Sequence, residues 1–101
     1  MPSQQFIDSL KQGIEEYLEM DLFKVHSNMR IKDFKYMTAG DYYILDLYGG
    51  LNGRGQFLFY MEDVSELVKM LMIRFDDVWL IKWENDCPDD IYTLSIGMRF
   101  R

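Results

Sequence analysis

Two apolar, aromatic-rich runs, DYYILDLY (41–48) and QFLFYM (56–61), flank the glycine-rich link GGLNGRG (49–55). Successive side chains of a strand point to opposite faces, and in both runs either parity carries large apolar groups. Tyr43, Leu45 and Leu47 share one face of the first run, against Tyr42, Ile44, Asp46 and Tyr48. In the second, Phe57, Phe59 and Met61 oppose Gln56, Leu58 and Tyr60. The link favours a hairpin from Asp41 to Glu62, and such a hairpin needs cover on both sides. One helix on each face would make both faces core. Two helices on one face would leave Tyr42, Ile44, Tyr48, Leu58 and Tyr60 for a partner.

The flanking sequence supplies two helices. Ser3 is a candidate N-cap for a helix reaching about Met20, whose stripe is Phe6, Ile7, Leu10, Ile14, Tyr17 and Leu18. Asp63 and Glu66 form an Asp variant of the capping box ahead of Val64, Leu67, Val68, Leu71, Met72 and Phe75, with Asp76-Asp77 as the expected end. Between them, Asn28–Met37 is expected as a strand whose parity slips. Met29 and Ile31 point one way while Phe34 and Tyr36 fall on the other parity, as a β-bulge or two strand pieces would allow. Thr38 to Asp41 is a turn.

Further strands are expected at Val78–Glu84, with Trp79, Ile81 and Trp83 on one parity, and at Ile91–Arg101. In the last, Tyr92, Leu94, Ile96, Met98 and Phe100 alternate with Thr93, Ser95, Gly97, Arg99 and Arg101, which implies one buried and one wet face. The expectation is a single α+β domain over residues 1–101, order α-β-β-β-α-β-β, with a mainly antiparallel sheet packed against two helices.

Chemistry is sparsely encoded. The glycine link lacks the Lys-Ser or Lys-Thr ending of a P-loop, and a strand rather than a helix is expected after it. His26 and Cys87 are single, and the acidic neighbours Asp86, Asp89 and Asp90 would hold a Cys87 thiol protonated. Those carboxylates lack calcium-loop spacing, and one histidine with one cysteine does not make a zinc site. The reading is therefore of no catalytic residue, no metal site and no cofactor.

A net charge of −6 opposes direct nucleic-acid binding. It also outweighs the short basic strip Lys24–Lys35, whose aromatics Phe34 and Tyr36 could otherwise stack bases. One cysteine, no leader pattern and no span-length apolar stretch point to a cytoplasmic protein away from the membrane. The carboxylates, by contrast, group on several elements.

The leading expectation is a small acidic non-catalytic binding protein: an inhibitor, immunity-type factor or adaptor, of phage or cellular origin, that occludes a basic protein partner. Its expected partner-binding residues are Glu15, Glu16, Glu19, Tyr42, Tyr48, Tyr60, Glu84, Asp86, Asp89 and Asp90. The alternative is a self-assembling structural subunit, for example viral, joined through a sheet face or the strand Ile91–Arg101 as an edge. A third class is a small-molecule pocket around Tyr43, Trp79, Trp83 and Tyr92.

Overall fold

The computed structural model describes residues 2–20, 29–49, 61–86 and 91–100, with the side chains at 61–62, 84–86 and 91–92 outside that description. Helix α1 (Gln4–Leu18) starts where Ser3, with extended backbone, accepts the Phe6 N–H on its Oγ at 3.1 Å. That bond satisfies one of the orphan donors of the first turn. Ile7, Leu10, Ile14 and Leu18 bury the stripe. Phe6 lies at its margin, edge-to-face with Phe100 at 5.4 Å.

Strand β1 (Arg30–Met37) pairs antiparallel with β2 (Tyr42–Gly49). The parity slip is real. The register shifts between Ile31 and Asp33, so that Lys32 is the extra residue of a bulge. The bulge lets Ile31, opposite Leu47, and Phe34, opposite Leu45, both reach the core side. The connecting turn places Gly40 at φ 129° and Asp41 at φ 54°, left-handed values that glycine and aspartate tolerate best. The Tyr36 hydroxyl donates to the Asp41 carboxylate and ties the turn to the strand.

Helix α2 (Met61–Arg74) runs without a linker into β3 (Phe75–Asp86), and β4 (Ile91–Phe100) completes the sheet. The order is β1-β2-β4-β3, antiparallel throughout. The described residues thus form an α+β domain of two helices and four strands, α-β-β-α-β-β.

Four expectations change. First, β2 spends its edges on β1 and β4, so β4 takes the place expected for the second run of the aromatic hairpin. Residues 56–60 of that run lie outside the described residues. Second, α2 begins before Asp63, which sits buried within its first turn rather than at the N-cap position. Phe75 opens β3 instead of closing the helix. It is buried in either role, which is why the helical period runs straight through the junction.

Third, β3 carries two register shifts, between Phe75 and Asp77 and between Leu80 and Lys82. The second turns Trp79 and Trp83 to opposite sides of the sheet: Trp79 pairs with Gly97, Trp83 with the core residue Leu94. Fourth, β4 is interior, and β1 and β3 are the edges. The centre of its polar parity is correspondingly not wet, since Ser95 and Gly97 are buried, while Arg99 of the same parity is exposed.

The core lies on one side of the sheet. Tyr43, Leu45 and Leu47 of β2 and Leu94, Ile96 and Met98 of β4 meet Ile7, Leu10, Ile14 and Leu18 of α1 and Val64, Leu67 and Leu71 of α2 in one buried cluster. Both helices therefore pack on the same face. The opposite parity of the sheet receives neither.

Candidate partner-binding surfaces

Two surfaces stand out, one in each layer. The first is a cleft of about 500 Å3 at the C-terminal end of α1, bordered by Glu15, Glu16, Glu19, Arg30, Ile31 and Tyr48. Leu18 and Met29, both buried, form its apolar floor, and Tyr48 is 40% exposed at its rim. The helix brings Glu15, Glu16 and Glu19 to one end of the molecule because they occupy its final turn and cap.

Carboxylates there oppose the helix macrodipole, at a cost of a few tenths of a kcal/mol each at an exposed site, and no basic residue sits in the last turn to offset them. Local contacts return little. Lys11 Nζ stands 3.9 Å from Glu15 Oε1 with both groups exposed, a geometry of small stabilising value. Gln12 donates to Glu16 at 3.3 Å. Arg30, on the opposite wall, donates to the Met29 carbonyl at 3.3 Å and is held along the backbone.

The second surface is the face of the sheet opposite α1 and α2, helix-free among the described residues. Its rows follow from the register. Lys35, Ile44, Gly97 and Trp79 stand side by side across β1, β2, β4 and β3, and Asp33, Asp46, Ser95 and Lys82 form the next row. Tyr42 packs on Trp79 with ring centroids 5.7 Å apart. The Arg99 guanidinium lies 5.4 Å from the Trp79 ring centroid and 3.7 Å from Asp77. The Trp79 indole roofs Gly97, leaving no room for a Cβ there. Ser95 donates to Asp46 at 2.6 Å.

The expected partner residues are thus divided. Glu15, Glu16 and Glu19 are gathered around the cleft, which Tyr48 borders at the end of β2, while Tyr42, of the same β2 parity as Tyr48, belongs to the sheet face on the other layer. Glu84 and Asp86 lie in β3, their side chains outside the described residues, as are Tyr60, Asp89 and Asp90. Met29, Ile31 and Arg30 were not anticipated as cleft residues. The parity slip was the signal that could have found them, because it puts Met29 and Ile31 on the helix side of β1.

Other expectations are narrowed. Phe34 is buried and stacked on Tyr43 at 5.5 Å, so it offers no platform for bases. The residues considered for a small-molecule pocket do not converge. Tyr43 is core, the Trp79 indole lies over Gly97 on the opposite face of the sheet, and Trp83 borders a cavity of about 170 Å3 between α2 and β3, below the roughly 300 Å3 at which ligand pockets begin. The side chain of Tyr92 is outside the described residues.

Tyr17 is raised above its ordinary pKa by burial and then by Glu66 and Asp63. Tyr43 is raised by burial and Asp41, and Tyr36 chiefly by its hydrogen bond to Asp41. These phenols hold their protons more tightly than usual and are not tuned for acid–base work near neutrality. Among the described residues no three His, Cys, Asp or Glu side chains group as metal ligands, and no helix is long and apolar enough to cross a membrane. His26 and Cys87 lie outside those residues. Set against known proteins, the chain matches no family model, no curated protein and no solved structure.

Proposed function

We propose that this chain is a small acidic, non-catalytic binding protein, an inhibitor, immunity-type factor or adaptor of the cytoplasm, that occludes a basic segment of a protein partner at the C-terminal end of α1. The observation that carries the reading is the crowding of Glu15, Glu16 and Glu19 around an apolar-floored cleft. These carboxylates sit where the helix dipole disfavours them, and a basic group docked there would offset that cost. A lysine or arginine side chain suits such a cleft, its aliphatic stem on Leu18, Met29 and Tyr48 and its charged head among the carboxylates. The net charge of −6 would speed encounter with a basic partner.

The test is the triple variant E15Q/E16Q/E19Q beside the wild type. Affinity capture from native-host extract should recover a basic protein at low salt, lose it at high salt and fail with the variant. The variant itself should be at least as stable as the wild type, by up to about 1 kcal/mol in urea unfolding, since three unfavourable dipole interactions are relieved. A partner that is acidic, or that binds the triple variant as well as the wild type, overturns the proposal.

A further inference from the structure

We infer that the helix-free face of the sheet is the seat of a second copy of this chain, related by a two-fold axis that runs along the strands midway between β2 and β4. The inference is independent of the α1 cleft, which lies on the other layer and would face outward from such a dimer. Among the described residues neither helix covers this face, and its centre is Tyr42, Ile44 and Trp79, half-buried within one copy.

Charge selects the occupant. A chain of net charge −6 repels its own copy in most orientations. On this face Lys35, Lys82 and Arg99 stand among Asp33, Asp46 and Asp77, so these three cations offset these three anions, and in the Asp33 row only the two Asp46 carboxylates, each bonded to Ser95, face their like across the axis. The order of the charges matters more than their balance. The axis lays each β1 over the β3 of the other copy and each β2 over its β4. In the register rows, Asp33 then meets Lys82 of the second copy, Lys35 meets its Trp79 ring in a cation–π geometry, and Ile44 meets the indole that roofs its Gly97. Each contact occurs twice, as an isologous interface requires.

The packing is ordinary sheet-on-sheet stacking. Aligned sheets cross at roughly 30°, and the few ångströms this displaces the edge strands lie within the reach of a lysine. Four strands about 4.8 Å apart, paired over about seven residues, offer roughly 450 Å2 per copy. That is about 900 Å2 in total, below the roughly 1,200–2,000 Å2 of stable specific interfaces and in the range of weak, transient ones, which makes the dimer concentration-dependent.

Asp33 and Lys82 sit on opposite edge strands of one copy, about three strand spacings or ~14 Å apart, too far to pair within it. Their coupling is therefore a signature of the dimer. Sedimentation velocity or light scattering on the wild type, D33K, K82D, D33K/K82D and I44K measures it. The wild type should dimerise with rising concentration. Each single reversal should weaken the dimer roughly tenfold, through two symmetric contacts, and the double reversal should return it to within about twofold of wild type. I44K should be monomeric with an unchanged circular dichroism spectrum. A wild type still monomeric near 1 mM, a double reversal as weak as the singles, or an I44K protein that dimerises normally would each overturn the inference.

Discussion

Gly97 shows how one missing side chain organises the helix-free face. It is buried in the central strand β4 because the Trp79 indole crosses the strand and lies flat over it. Tyr42 and Arg99 then pack on that ring from two directions. A Cβ at position 97 would fall inside contact distance of Cε2, Cζ2 and Nε1 of the indole, so the ring must swing away and release both neighbours. Gly97→Ala should therefore destabilise the protein by about 1–3 kcal/mol, the usual range for overpacking, and shift the tryptophan emission to the red. In a Trp79→Ala background the same substitution should cost markedly less, because the obstacle is gone. Equal losses in the two backgrounds, read by urea unfolding, would mean that the strand itself rejects alanine. The sequence places Gly97 on the supposedly wet parity of β4 and says nothing of the ring above it, since that contact comes from a strand eleven or more residues away in the chain and on the far side of a bulge.

At the scale of elements, the bulges decide which side chains meet. In β1, Lys32 is the one residue without a counterpart between Ile31, opposite Leu47, and Asp33, opposite Asp46. Deleting Lys32 should leave a regular ladder with Ile31 and Phe34 still on the helix side, and cooperative unfolding should survive with a modest loss. Deleting Lys35, three residues on, instead shifts Phe34 onto the helix-free face. That change should cost several kcal/mol, comparable with removing a buried phenylalanine. Comparison of the two melting curves checks the assignment, and equal damage would argue against it. This bulge was legible because Met29, Ile31, Phe34 and Tyr36 cannot share one parity. The bulges in β3 were not, because Trp79, Ile81 and Trp83 alternate as cleanly as a regular strand would. The end of α2 was hidden for a related reason. Phe75 fits the helical stripe and the strand's buried side alike, so periodicity has nothing to mark the junction. Of the candidate site, the carboxylates of α1 could be read from the helical pattern, but their neighbours could not, since Tyr48 and Met29 reach the cleft only through the pairing of β1 with β2 and the packing of α1 over it.

At the scale of the molecule, in the order of the described elements each helix precedes an edge strand, α1 before β1 and α2 before β3, and the last strand enters between the two halves. The chain's first half, α1-β1-β2, holds Phe34, Tyr43, Leu45 and Leu47 on its buried side, and the second supplies Leu67, Leu71 and Phe75. Neither half can close alone, because β4 provides the central row that touches both: Leu94, Ile96 and Met98 pair with Leu47, Leu45 and Tyr43 of β2. These pairs join residues about half the chain apart, so the loop-closure cost of the core falls on its last strand. Ile96, 1% exposed and opposite Leu45, is the sharpest probe of this arrangement. Ile96→Ala should cost about 2–5 kcal/mol and should move helix and sheet together. Far-UV circular dichroism, which follows α1 and α2, and tryptophan fluorescence, which follows Trp79 and Trp83 on β3, should give coincident urea transitions in wild type and variant alike. If the variant instead loses the fluorescence transition first while helical signal persists, α1-β1-β2 stands as a separate cooperative unit, and the two helices share a face without sharing a core.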